Sequence, residues 1–355
     1  MIVIRRKPAL TAIGCHIYAG GFTLGVRDRF KVLAHLEEGS FGVETVRANM
    51  PGLPVSVGAE TWVPFCAKLP RPDLLYGNPP CASWSIAGVK VKDKEERNEK
   101  RWSHDARTDC TVRLFGLLST LRPKVFIWES VMAAMRNGRE FIDARVAQVN
   151  ALGYHAHLVT FNGLDLGLPQ TRKRFFFVAT KVALSMPAPS WPAHHRTVRD
   201  ALATLPGNAS KEGAKISDNY LRILKSMKPG EKSLHKAFMS SLGDREPELN
   251  KHGGVKGRPG FLNQRLVWDE PAPTITGGPQ FFHPAEPRSL TVVEQQIMCG
   301  YPADYKFVGS TGDKYAQISK AVLPPAARWI SGIVADGIES NQTIEDPSME
   351  ENPYV

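Results

Sequence analysis

Residues 109–129 read DCTVRLFGLLSTLRPKVFIWE, and their reading decides the fold. Leu114, Leu117, Leu118 and Leu121 recur at helical spacing, so the first part is a helix with one apolar side. Pro123 stops it. Val125–Trp128 is then a short apolar strand that ends in Glu129. The pattern recurs outward on both sides. Upstream, Phe30–Leu36 is an apolar run closed by Glu37 and Glu38, and Asp73–Tyr76 is another, closed by Gly77-Asn78-Pro79-Pro80. Downstream, residues 139–152 read as helix, with Ile142, Val146 and Val149 on one face, and Phe175–Ala179 is a fourth buried strand. Strands separated by helices predict βαβ units and a parallel sheet covered on both faces. Ligands of such sheets bind at the carboxyl ends of the strands. Here those ends are Glu37, Asn78–Cys81 and Glu129.

Composition bounds the rest. The chain has 355 residues, 42% of them hydrophobic and 23% charged, enough to bury a sizeable core. A disordered chain, a collagen and a small disulfide scaffold are excluded. From Asp336 to Val355 there are six acids and no Lys or Arg, so the other 335 residues carry 45 basic and 29 acidic side chains, a formal +16. A basic body points to a polyanion, most simply nucleic acid. The five cysteines are scattered and form no CxxC pair, which argues against a disulfide framework and a structural zinc site. No apolar run reaches the roughly 18–20 residues of a membrane span. MIVIRRKPAL lacks a signal-peptide layout. The expectation is an intracellular protein with reduced thiols, no metal and no membrane.

Composition shifts at the proline-rich Met186–Pro192. Residues 190–265 hold 14 Lys and Arg against seven acids and read as a small, basic, loop-rich second domain. Order returns near Arg265, and Thr291 with Glu294 forms a capping box. The last twenty residues read as an acidic disordered tail.

Three short segments carry chemistry. In Asn78-Pro79-Pro80-Cys81-Ala82-Ser83-Trp84-Ser85 a cysteine follows two prolines on a rigid loop at the functional edge of the sheet; the plain alternative is a buried, inert thiol. In Trp128-Glu129-Ser130-Val131 a carboxylate ends a buried strand, as a helix cap or as a general acid with a raised pKa. In Gln170-Thr171-Arg172-Lys173-Arg174 two arginines share one side of an extended segment, suited to phosphate or carbonyl recognition or simply to solvent.

In this order the pieces resemble the DNA cytosine-5 methyltransferases. Gly20-Gly21-Phe22-Thr23-Leu24-Gly25 near the start, Pro273-Thr274-Ile275-Thr276-Gly277, Arg288-Ser289-Leu290-Thr291 with Glu294, Gly300-Tyr301-Pro302 and Gln317–Val322 extend the resemblance over about residues 12–335. It implies a Rossmann-like S-adenosylmethionine-dependent α/β fold. Residues 1–185 would hold the catalytic and cofactor-binding domain, 186–268 the target-recognition domain, 269–335 the return to the catalytic domain and 336–355 the tail. The implied partner is double-stranded DNA, bound by a monomer in the cytoplasm of a bacterial or phage-infected cell.

The implied catalytic residues are Cys81, Glu129, Gln170, Arg172 and Arg174. Cytosine C5 is a poor nucleophile. A Cys81 thiolate adding to C6 makes C5 carbanion-like. A protonated Glu129 neutralises charge at N3 and reads the N4 amino group, while Arg174 with Arg172 holds O2 and nearby phosphate. The base must be flipped out of the duplex. Lys90–Arg101 fits the family's mobile loop. For the cofactor the resemblance implies Tyr18, Gly20, Gly21, Phe22, Glu37, Glu60, Pro80, Lys320 and Ala321. Phe22 would cover the adenine, the two glycines would allow close approach and Glu37 would bind the ribose hydroxyls. Tyr18 stands at the first loop glycine, and Gly58-Ala59-Glu60 stands where the family usually shows Gly-Asp, so that Ala59 cannot make the adenine contact and Glu60 is the candidate substitute. Ser130 and Lys320 each stand where the family usually has asparagine. A lysine near a sulfonium is repelled, but it would pair with the carboxylate of carboxy-S-adenosylmethionine. The expectation therefore includes carboxymethyl as well as methyl transfer. RNA (tRNA) cytosine-5 methylation and a non-catalytic DNA-binding relative are the alternatives.

Overall fold

The computed structural model describes residues 9–81, 83–84, 105–189, 194–228, 230–242 and 263–341. The Lys90–Arg101 segment lies outside them. Seven strands form one sheet: β1 (Thr11–Cys15), β2 (Lys31–Glu37), β3 (Val55–Val57), β4 (Leu74–Gly77), β5 (Val125–Val131), β6 (His155–Asn162) and β7 (Lys173–Thr180). Their order is β3-β2-β1-β4-β5-β7-β6. The pairings from β3 across to β5 are parallel.

The expected Phe175–Ala179 strand is present as β7, but it runs antiparallel between β5 and β6. The connection from β6 to β7 holds a single 3₁₀ turn, Gly163–Leu166, and an antiparallel return needs no crossover helix. The sequence reading also passed over β6. Its HAHLVTFN mixes polar and apolar residues because it is the sheet edge, with Leu158 36% exposed.

Among the described residues, six α-helices accompany these strands: α1 (Gly21–Val26), α2 (Val43–Asn49), α3 (Trp62–Cys66), α4 (Arg107–Leu121), α5 (Met132–Asn137) and α6 (Arg139–Ala151). β5 shows why its strand is apolar throughout. Val125 and Ile127 pack into the core on one face, Phe126 and Trp128 into the core on the other. On the second face α4 lays Leu114, Phe115 and Leu118 against the sheet, with the Phe115 ring edge-on to Trp128 at 5.8 Å and to Phe177 at 5.3 Å. Aromatic pairs at these distances add to the burial of their large surfaces.

After β7 the chain forms α7 (Val198–Leu202), α8 (Asp218–Ser226), α9 (Leu234–Leu242), β8 (Gln264–Arg265), β9 (Phe281–Phe282), α10 (Val292–Met298), α11 (Thr311–Lys320) and α12 (Pro324–Asn341). A small separate core joins Ile223, Leu224, Met227, Leu234, Ala237 and Phe238 to Phe282. Val198 and Ala201 of α7 pack instead in the larger core, on the α1 and α12 side. The Thr291–Glu294 capping box starts α10 as expected.

The tail expectation is corrected for residues 336–341, which are helical, while 342–355 lie outside the described residues. α12 runs on through Asn341, with Ile338 fully buried and Asp336 and Glu339 both bonded to Arg29. The acids there read as tail-like, yet one face of the helix is apolar and packs on α1. No helix among the described residues is long and apolar enough to cross a membrane.

Candidate active site

In the strand order the chain moves from β1 to β2 and β3 on one side and to β4 and β5 on the other. The two neighbours β1 and β4 are therefore the switch point, where their diverging loops leave a crevice at the carboxyl ends. The loops there are His16–Gly20 and Asn78–Cys81.

Cys81 is partly exposed on the second loop, and its carbonyl accepts from the Trp84 N–H at 3.1 Å. Burial pushes its thiol pKa up, Arg174 pulls it down, Glu129 raises it and Arg172 lowers it. The four side chains expected to act together thus lie within electrostatic reach of one another. Glu129, in β5, is 3% exposed. Burial raises its carboxyl pKa, with Arg174 and then Arg172 opposing. Arg174 Nε lies 3.6 Å from Glu129 Oε1, and burial lowers the Arg174 guanidinium to about 10. Asn78 Nδ2 donates to Glu129 Oε2 at 2.6 Å. The sequence reading missed that bond. Ser130 stands where the family usually has asparagine, and here an amide reaches the Glu129 carboxyl from Asn78, three residues before Cys81.

Two expected catalytic residues have other uses. Arg172 is 2% exposed and donates to the carbonyls of Ser319 at 2.7 Å and Ala321 at 3.1 Å. Its two terminal nitrogens hold backbone, not open space for a base or phosphate. They grip the chain on either side of Lys320. Gln170 is fully buried; its Nε2 donates to the Met298 carbonyl at 2.6 Å, and its Oε1 accepts from the Ile275 N–H at 3.2 Å. Both ends of that amide tie three segments together, because buried backbone groups outside regular structure need partners.

The cofactor residues divide similarly. Glu37, at the end of β2, accepts from the Ile17 N–H at 2.7 Å, and burial pushes its carboxyl up to about 8. Tyr18 keeps a left-handed φ of 54° where a glycine would be unstrained, at a penalty of about 1–2 kcal/mol. Its ring meets Phe41 edge-on at 6.3 Å, and burial pushes its phenol pKa up, with Cys81 adding to the rise. Gly20 has φ 82°. A Cβ on Gly21 would strike the Tyr301 hydroxyl and the Val322 carbonyl, so the protein itself requires a glycine here. Phe22 is corrected as well. It is fully buried, 4.8 Å from Tyr76 and 5.9 Å from Phe176, and belongs to the core under α1. It has no free face for an adenine.

Glu60 is exposed and turns back over Gly58, while Pro80 sits beside Cys81. Lys320 ends α11, and Ala321 is buried next to it. The Lys320 ammonium lies 4.9 Å from the centre of the Phe41 ring, a cation–π distance. The exposed Phe41 therefore connects Lys320 to Tyr18 and the crevice, a link with no motif to announce it.

Comparisons with known proteins bear on the family and the fold. The family described as C-5 cytosine-specific DNA methylase matches residues 14–334. The chain is 27% identical over 341 residues to the type II methyltransferase M1.HphI of Haemophilus parahaemolyticus, covering 92% of this chain and 87% of that one. It is 26% identical to the type II methyltransferase M.NgoFVII of Neisseria gonorrhoeae, covering 94% and 89%. Among solved structures, a prophage-encoded E. coli chain described as a DNA modification methyltransferase superposes with a TM-score of 0.66 at 21% identity, covering 93% of this chain and 99% of that one.

Proposed function

The chain belongs to the C-5 cytosine-specific DNA methylase family, and from that premise we propose that it transfers a methyl group to C5 of a cytosine flipped out of double-stranded DNA, through a covalent Cys81 adduct. The observation that carries this reading is the convergence of Cys81, Glu129 and Arg174 at the carboxyl ends of β4 and β5. In it Cys81 adds as thiolate to C6 of the base, once Arg174 and the bound substrate offset the burial that favours the thiol. Burial keeps a proton available on Glu129, which it holds toward N3 as negative charge develops there. Asn78 fixes the direction of that carboxyl. Arg174 serves O2, and Arg172 positions the Ser319–Ala321 segment.

The crevice suits S-adenosylmethionine: Glu37 offers a carboxyl at the end of β2 for ribose hydroxyls, and Tyr18 and Phe41 are the aromatic surfaces beside it. When bound, that cofactor supplies the electrophilic methyl group that C5 takes. The basic segment 190–265 meets the duplex. A protein of this activity works in the cytoplasm on the DNA of a bacterial or phage-infected cell, as a modification enzyme.

The test is duplex DNA containing 5-fluorocytosine, incubated with protein and S-adenosylmethionine. A denaturation-resistant protein–DNA complex is expected, and none with Cys81→Ala. No complex with the native chain would leave a non-catalytic DNA-binding relative. An adduct with tRNA instead would turn the reading to RNA methylation.

The placement of Lys320 favours a second reading of the group transferred. Its ammonium is folded onto Phe41 at the rim of the crevice. There it can pair with the carboxylate of carboxy-S-adenosylmethionine, and the product would be 5-carboxymethylcytosine. Weighing product nucleosides made with each cofactor decides it. Only 5-methylcytosine, unaffected by Lys320→Asn, removes this reading.

A further inference from the structure

Three ligand-type side chains converge beyond β1 and β2. His16 follows β1, Glu38 follows β2 and Cys110 lies in the first turn of α4. Cys110 Sγ donates to Glu38 Oε2 at 3.2 Å, and His16 Nε2 lies 3.8 Å from Glu38 Oε1. The imidazole nitrogen, carboxylate oxygen and thiol sulfur all fall within 4.8 Å of one another. His16 is 3% exposed, and its Nε2 has no hydrogen-bond partner. A buried polar atom in that condition is unfavourable until it finds a partner. The backbone of His16 adds to this cost with a left-handed φ of 54°. Arg113, one turn along α4, reaches Glu38 Oε1 at 2.7 Å with its own side chain 44% exposed. A movable cation thus stands at the edge of a site with nitrogen, oxygen and sulfur donors.

We propose that His16, Glu38 and Cys110 form a binding site for one divalent cation of the Zn²⁺ class, with the Arg113 guanidinium as its placeholder. Such a donor set suits a borderline-soft metal. Four-coordinate bonds of 2.0–2.3 Å place ligand atoms roughly 3.3–3.6 Å apart. The observed 3.2 Å to Glu38 Oε2 and 3.8 Å to Glu38 Oε1 lie near that range, and the whole set lies within 4.8 Å, so side-chain rotation about one carboxylate draws the donors together. The metal–sulfur bond forms as the Cys110 thiol proton leaves to solvent, and water takes the fourth position. Sequence spacing hides the site, since its ligands come from three separate elements. Glu38 adjoins Glu37, the residue proposed to bind ribose, so bound metal would compete with the cofactor. That consequence rests on the proposed function; the site itself does not.

The test is Co²⁺ titration of the full-length, cofactor-free protein. One Co²⁺ per chain is expected, with a sulfur-to-cobalt charge-transfer band and the intense visible bands of four-coordinate Co²⁺, all displaced by Zn²⁺. The bands should vanish in Cys110→Ser, a near-isosteric change, and persist in Cys81→Ala. Arg113→Ala, at the surface, should bind Co²⁺ about two- to fivefold more tightly because a competing ion pair is gone. Bands that survive Cys110→Ser, depend on Cys81, or weaken in Arg113→Ala would overturn the site. If the variants behave as expected but S-adenosylmethionine does not displace Co²⁺, the site stands and its competition with the cofactor falls.

Discussion

Asn78 shows how much of the chemistry is set by one side chain. Its amide donates to the carboxyl of Glu129 at 2.6 Å, in a pocket where burial favours the protonated acid. The bond favours the carboxylate form and fixes its direction. Asn78→Ala should therefore lower the methyl-transfer rate about tenfold, with little change in the KM for DNA. The basic limb of the pH–rate profile should move to higher pH, because Glu129 then holds its proton longer. An unmoved limb would deny the bond a role. Glu37 makes a stability prediction. Its pKa rises from 4.5 to about 8 on folding, since burial penalises the charged form. The folded state then binds more protons than the unfolded one between those values, so this group's contribution is full below pH 4.5 and is lost as pH rises through about 8. Glu37→Gln should remove that dependence and raise the Tm at pH 8 relative to the native chain. Equal Tm differences at pH 4.5 and pH 8 would contradict the shift.

At the scale of elements, α12 and the Arg172 segment decide how the late part of the chain joins the early part. α12 packs on α1 with Ala327, Ile330, Val334 and Ile338. A helix that ended at residue 335 would leave Ile338 without weight. Ile338→Ala is instead expected to cost about 2–5 kcal/mol in urea unfolding, as for other buried aliphatic truncations, and a change below about 0.5 kcal/mol would match a frayed tail. Arg172, just before β7, carries the end of α11 to the sheet through two charged hydrogen bonds to backbone carbonyls. Each such bond contributes about 1.5–3 kcal/mol. The site is thereby closed by a segment about 150 residues away in sequence.

Over the whole molecule, positive charge is concentrated in the segment proposed to meet DNA. Residues 190–265 hold 14 basic side chains and seven acidic ones, and Lys225, Lys228 and Lys236 are exposed beside the small core. Replacing all three with Gln should flatten the dependence of DNA affinity on salt by roughly 0.9 in log–log slope for each phosphate no longer neutralised. Binding measured from low to moderate salt checks it, and an unchanged slope would place the DNA elsewhere. Local sequence was enough for the α/β class, the strand ends and the short motifs around Cys81, Glu129 and Gln170–Arg174. Apolar runs and turn residues are local signals, and short motifs keep their spacing whatever the chain does between them. The antiparallel course of β7, the burial of Phe22 and the diversion of Arg172 and Gln170 to backbone came from the assembled fold. So did the meeting of Asn78 with Glu129, of Lys320 with Phe41, and of His16 with Glu38 and Cys110. Those outcomes depend on which buried groups find partners once the sheet is assembled, and partners from distant elements leave no periodicity in the chain.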